Sequence, residues 1–229
     1  MHERAPSEIH DAESIETLRD AARVLFSRRG PRTIARIAAL SWGARALAGP
    51  PGPLDVVAAS AAIAVWPLQE WAAHKYLLHF EPRTILGKHV DPYFARKHRD
   101  HHADPRDVDL TLLPLRVILG AAPITGGAWL LLFGGTRAGL TAIATYSTMA
   151  LVYEWTHLLV HTSYRPESEL AKTVRRNHLL HHFRNEDYWL AFTMPFVDTL
   201  LGTAPDPASV PRSKTVMDLH GLRAAAQSS

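Results

Sequence analysis

The chain contains no cysteine among its 229 residues. Disulfides, thiolate metal ligands and a cysteine nucleophile are therefore excluded, and any bound metal must sit on nitrogen or oxygen. Met1 to Asp11 is polar and charged with no apolar stretch behind it, and is not expected to act as a secretory signal peptide. Strong charge of one sign is absent as well, since 25 basic and 22 acidic side chains leave a formal charge of +3. The basic isoelectric point, near 9.3, does not call for nucleic acid. The arginines flank apolar segments, where membrane topology accounts for them.

A mean hydropathy of −0.08 conceals an uneven distribution of apolar residues. Val117 to Thr136 is a charge-free run of 20 residues, and Ala138 to Tyr153 is another of 16. The first passes the threshold of about 18 residues for a transmembrane helix, and the second reaches it if the helix continues past Glu154. The pattern predicts an all-α integral membrane protein. Spans are expected at roughly 54–78, 112–133 and 138–156, the last two joined by Gly134-Gly135-Thr136-Arg137. Thr33 to Ala48 is a weaker candidate because Arg36 and Arg45 interrupt it. Seven Lys and Arg lie in residues 1–36, eight in 75–116 and five in 157–190, against Arg45 and Arg137 alone in the opposite connections. Positive charge stays on the cytosolic side, which makes the weak segment a first span of four and puts both termini in the cytosol.

Three units follow: an N-terminal segment 1–32, a membrane domain 33–204 and a polar tail 205–229, expected to be mobile. Within the first, Ile15, Leu18, Ala22 and Leu25 recur at helical spacing, which fits a short helix at the membrane surface or docked on the protein, ended by Gly30-Pro31. The stretch Asp187 to Thr203 is aromatic but broken by Pro195, and is expected at the interface, closing the site.

Ten of the fourteen histidines fall into four groups: His74 and His79; His98, His101 and His102; His157 and His161; His178, His181 and His182. The order is an internal repeat, with Glu70-Trp71 before the first pair, Glu154-Trp155 before the second, and an H-x-x-H-H run after each. On a helix the first, fourth and fifth positions of such a run share a face, so each run offers three imidazoles. His157 and His161 share a face too, whereas the five-residue step from His74 to His79 needs a helix end or a π turn. Both histidine-rich segments lie on one side of the membrane, because the tight hairpin returns the chain to where it started. Ten imidazoles suit two ions with four or five ligands each, and nitrogen donors alone do not choose iron over zinc. Glu70, Asp100, Glu154 and Asn177 are placed to orient ring nitrogens, with a plain surface role as the alternative. His89 reads as a surface histidine.

The histidine order over roughly residues 66–204 resembles the fatty acid hydroxylase and sterol desaturase superfamily of membrane di-iron enzymes. Glu70 to His79 and His178 to Thr203, including His181-His182-Phe183-Arg184-Asn185 and Asp198 to Thr203, are similar to its acyl-chain hydroxylase branch. The resemblance implies a four-helix anchor with a cytosolic cap, two irons on the ten histidines named, and dioxygen-dependent hydroxylation of a lipid. No further catalytic side chain is implied. Eukaryotic acyl hydroxylases carry an N-terminal haem electron-carrier domain that residues 1–30 cannot form, so electrons are expected from a separate protein. Hydroxylation or desaturation of a carotenoid or sterol, zinc-dependent hydrolysis and non-enzymatic metal binding are the alternatives. Transport is disfavoured because the histidines lie outside the apolar spans, and hydrolysis because no carboxylate base stands among the ligands.

Overall fold

The computed structural model describes residues 5–223; residues 1–4 and 224–229, the ends of the N-terminal segment and of the polar tail, lie outside the described residues. About 67% is helical. Helix α1, Leu18–Ser27, is capped by Thr17, whose hydroxyl accepts from the Asp20 amide at 3.1 Å. Its stripe of Ala21, Val24 and Leu25 is buried against Val108, Leu112 and Leu158, so the helix docks on the protein. The break after it comes earlier than Gly30-Pro31. Arg28 is extended, and helix α2, Arg29–Leu47, carries Pro31 in its first turn, where a missing N–H costs no hydrogen bond. Gly30 is required by packing: a β-carbon there would lie 2.6 Å from the Leu113 carbonyl oxygen.

Helix α3, Pro53–Ala73, runs on into a π turn over His74–Leu78. A small hairpin follows, with β1, Arg83–Ile85, pairing β2, Lys88–Val90. Leu86 and Gly87 have φ of 50° and 74°, the left-handed turn that matches strand twist. No strand was expected in this polar segment, whose few residues per strand leave too short an alternation to read. His89 is exposed on β2, as anticipated. Helix α4, Tyr93–Ala103, and the short α5, Val108–Thr111, lead to α6, Leu115–Leu132. The turn through Gly134 and Gly135, both at positive φ, opens α7, Arg137–His161. Helices α8, Glu169–Phe183, and α9, Phe196–Leu200, complete the set.

Helix α7 is the central element, packed against α2, α3, α6 and α8. Its buried Ala138, Ala142 and Ala144 let the neighbours approach closely, with Ala58 and Ala62 answering from α3. Two segments, Pro53–Leu78 and Val108–Leu132, are long and apolar enough to cross a membrane. They also point Val56, Leu119, Ile124, Leu131 and Leu132 outward, each at least half exposed. Such a surface suits lipid and would be costly in water. Helix α7 carries threonines, tyrosines and a glutamate because its neighbours, rather than lipid, cover most of it.

The arginine that weakened residues 33–48 as a span has a partner. Arg45 Nε donates to Asp55 Oδ1 at 2.6 Å and lies 2.8 Å from Thr141 Oγ1, while the Thr141 hydroxyl donates to the same carboxylate at 2.5 Å. Hydropathy scores Arg45 as a lone charge, whereas the fold neutralises it through α3. Asp55→Ala is expected to lower the melting temperature in detergent more than the double change Arg45→Met with Asp55→Ala, because only the single change strands a buried cation. Equal melting temperatures for the two would show that the pair carries no such penalty.

Candidate metal centre

The histidine-bearing ends of α3, α4, α7 and α8 converge below the apolar helices, and the ten predicted histidines meet there. They divide into two groups of five, the ligand atoms of each lying within 4.8 Å of one another. One group is His74, His79, His98, His102 and His181; the other is His101, His157, His161, His178 and His182. The π turn closes the five-residue step, with the His79 amide donating to the His74 carbonyl at 3.1 Å and the two ring centroids 4.9 Å apart.

The division corrects the expectation that each H-x-x-H-H run acts as one cluster. His98 and His102, four residues apart, turn to their own half of the repeat, and His101 joins the other half. His178, His182 and His181 divide in the same way. Each half therefore lends the middle histidine of its run to its counterpart, and His102 and His182 stand back to back with ring centroids 4.2 Å apart.

Backbone carbonyls set the protonation of three rings. His74 Nδ1 donates to the Leu190 carbonyl at 2.7 Å, His102 Nδ1 to Val216 at 3.0 Å and His181 Nδ1 to Tyr188 at 2.9 Å. A neutral imidazole has one N–H, so the Nε2 atoms of these rings carry bare lone pairs. His181 Nε2 and His102 Nε2 nevertheless face each other at 3.2 Å. Two acceptors at that distance repel unless a cation lies between them, and burial opposes supplying a proton. Burial holds His98, His101, His178, His181 and His182 well below the usual imidazole range and brings His102 down to about 3. The donor set therefore fits a metal ion. In the second group Nε2 atoms also crowd, His161 to His178 at 3.0 Å and His178 to His182 at 3.1 Å. There His101, His157, His178 and His182 have no Nδ1 partner among the described residues.

The carboxylates anticipated beside the rings act elsewhere. Asp100 is at the surface, paired with Lys97 and Arg223. Asn177 is buried and accepts from its neighbour Arg176. Glu70 and Glu154 are buried but bond backbone amides: Phe192 and Thr193 for the first, Leu113 for the second. Asp198, which has no histidine nearby in sequence, accepts from the Leu190 and Ala191 amides and the Thr203 hydroxyl. Residues 189–192 are correspondingly buried in the core, where Phe192 packs 4.9 Å from the His157 ring and 4.8 Å from His178. The tail also departs from expectation. Val210, Val216 and Leu219 are buried, and the segment straps across the site with Val216 as the acceptor for His102. Its periodicity was unreadable because it forms no long helix or strand and is held by single contacts.

Beside the histidines lies an apolar cavity of about 620 Å³ between α3 and α6, with Trp66, Ala73, Leu77, Val117 and Ile124 in its wall together with His74. A smaller one of about 30 Å³ shares Leu78, Phe94, Leu113 and Tyr153 with it and touches His98 and His157, one histidine from each group. The two voids together border three of the ten histidines, His74 and His98 of the first group and His157 of the second.

Fold and site together define a helical protein with two membrane-length apolar helices whose paired five-histidine groups could hold metal ions. The chain belongs to the fatty acid hydroxylase family, which matches residues 59–203 and so takes in all ten histidines. It is similar to the dihydroceramide fatty acyl 2-hydroxylases FAH2 and FAH1 of Arabidopsis thaliana, 26% identical over 152 residues, covering 62% of this chain and 58% of each relative. It is also similar to the ceramide very long chain fatty acid hydroxylase SCS7 of Saccharomyces cerevisiae, at 26% over 156 residues, 66% of this chain and 38% of that one. The chain thus spans little more than half the length of the plant relatives. A solved structure of full-length scs7p, with only its hydroxylase domain visible, has the same fold, with a TM-score of 0.66 over 80% of this chain and 68% of that one at 20% identity.

Acid is expected to destabilise the metal-free protein. His102 stays neutral in the fold down to about 3, whereas in the unfolded chain it protonates near 6.5, so stability falls as the pH drops below that value. Each such ring costs about 1.4 kcal/mol per pH unit over that window. Chelator-treated protein should therefore melt at a lower temperature at pH 5.5 than at pH 7.5. An unchanged transition would mean that the rings protonate within the fold.

Proposed function

We propose that the protein is a membrane di-iron oxygenase that hydroxylates a C–H bond of a lipid, with a fatty acyl chain as substrate. The ten histidines are the metal ligands, five to each ion. The chain crosses the membrane four times, with the site and both termini on the cytosolic side. The observation that carries this reading is the apolar cavity between two lipid-facing helices, whose wall includes His74 and whose smaller neighbour reaches His98 and His157. The names of the plant and yeast relatives, all fatty acyl or fatty acid hydroxylases, favour an acyl chain over a carotenoid or sterol.

Iron, when bound, supplies the redox chemistry that dioxygen requires. One oxygen atom enters the C–H bond and the other leaves as water, balanced by two protons and by two electrons from a separate donor protein. The chain's own residues do the rest. Neutral, buried imidazoles offer lone pairs without competing for protons. Phe192 and Tyr153, with rings 4.8 Å apart, cover the second group and keep the reacting region dry. The apolar residues of the cavity wall hold and align an acyl chain by van der Waals contact. Arg116, stacked at 4.1 Å on Tyr93, is the cation in that wall and the natural partner for a polar head.

Protein loaded with ferrous iron and given a reductant and ¹⁸O₂ is expected to produce a membrane lipid carrying one ¹⁸O in its acyl chain. Cells expressing His181→Ala should show the lipid profile of an empty vector. Product formed without dioxygen, or without label, overturns the reading. A labelled carotenoid in place of the acyl product overturns the substrate alone.

A further inference from the structure

Residues 188–193 are not part of a helix or strand, yet every amide of this segment has an acceptor. On one edge, four consecutive amides donate to two buried carboxylates: Leu190 and Ala191 to Asp198 at 2.9 Å each, Phe192 and Thr193 to Glu70 Oε1 at 2.8 and 3.0 Å. Glu70 Oε2 takes the Trp66 indole N–H at 3.1 Å and the Thr193 hydroxyl as well. On the other edge, the Tyr188 and Leu190 carbonyls receive the Nδ1 protons of His181 and His74. Between them Trp189 holds φ at 54°, a left-handed conformation that a bulky residue keeps only where its surroundings impose it. The segment carries the orientation of two imidazoles and is itself held by carboxylates.

The internal repeat gives the second half a counterpart. Glu154, fully buried, accepts from the Leu113 amide through both oxygens at 3.2 and 3.3 Å. In both halves a glutamate preceding the histidine pair fixes a peptide segment from elsewhere in the chain, and in the first half a carbonyl two residues before an anchored amide also meets the first histidine of the pair. A carboxylate bonded straight to the imidazole would do the same work in one step. Here a peptide unit is interposed, which keeps a second buried charge away from the rings.

We propose that Glu70 is a positioning residue for the site formed by His74, His79, His98, His102 and His181, acting through segment 188–193. This rests on the two-metal reading given above. The test is anaerobic titration of the full-length protein in detergent with Co(II), followed by its visible d–d absorption, so that no turnover is needed. The wild type should take up two Co(II) per chain. Glu70→Ala should bind one as the wild type does and the other about 10–100-fold more weakly. Glu70→Gln, whose amide oxygen can still face the Phe192 and Thr193 amides, should restore the second ion. Should Glu70→Ala not fold, Glu70→Asp, which draws the carboxylate back by one methylene, is expected to weaken one ion. A folded Glu70→Ala or Glu70→Asp that titrates like the wild type overturns the proposal, as does a variant in which both ions weaken equally. A wild type that binds fewer than two Co(II) overturns the two-metal reading instead.

Discussion

A buried imidazole with a bare lone pair has few tolerable neighbours, and this protein gathers nine of them, with the half-buried His79 as a tenth ring. In water each lone pair would be solvated, whereas here the only compensation is a cation. The Nε2 atoms of His102 and His181, 3.2 Å apart with both protons committed to backbone carbonyls, show the constraint most plainly. Everything close to the site follows from it. The rings must be neutral, so they are buried; three of them are aimed by giving their Nδ1 protons to backbone carbonyls, and those acceptors must be rigid. Carbonyls of a loop and of the tail serve, once carboxylates and apolar anchors hold the segments that bear them.

The same accounting explains why charged residues occur so deep in a chain with lipid-facing helices. Arg45 is tolerable because Asp55 and Thr141 receive it, and Glu154 because the Leu113 amide does. Neither is a ligand or a surface group. Each satisfies a group that the bilayer would leave unpaired. The apolar cavity obeys the opposite rule, with a mostly apolar wall that includes His74, while the small void beside it touches one histidine of each group.

Much of this was legible in residue order, because periodicity and composition act locally. The four long helices correspond to the apolar runs, and a five-residue step between His74 and His79 demanded a π turn, which the backbone forms. The burial of Phe192 and the strap through Val216 were not legible. Neither depends on a periodic face, since a loop held by single hydrogen bonds leaves no repeating signature. Asp198 offered the one available signal, a lone acidic residue within an apolar stretch, and its role became clear only from the amides it receives.

Residue order by itself determined that ten imidazoles stand in two repeated sets and that no thiolate or disulfide competes with them. It also determined that two stretches can face lipid. How the sets combine was decided only in three dimensions. Adjacent residues on a helix diverge by about 100° around its axis. His101 therefore points away from His102, and His181 away from His182, and which half of the repeat each one meets depends on how α4 and α8 pack about α7. The exchange of one histidine in each direction ties the two halves into a single site, and no local pattern encodes it.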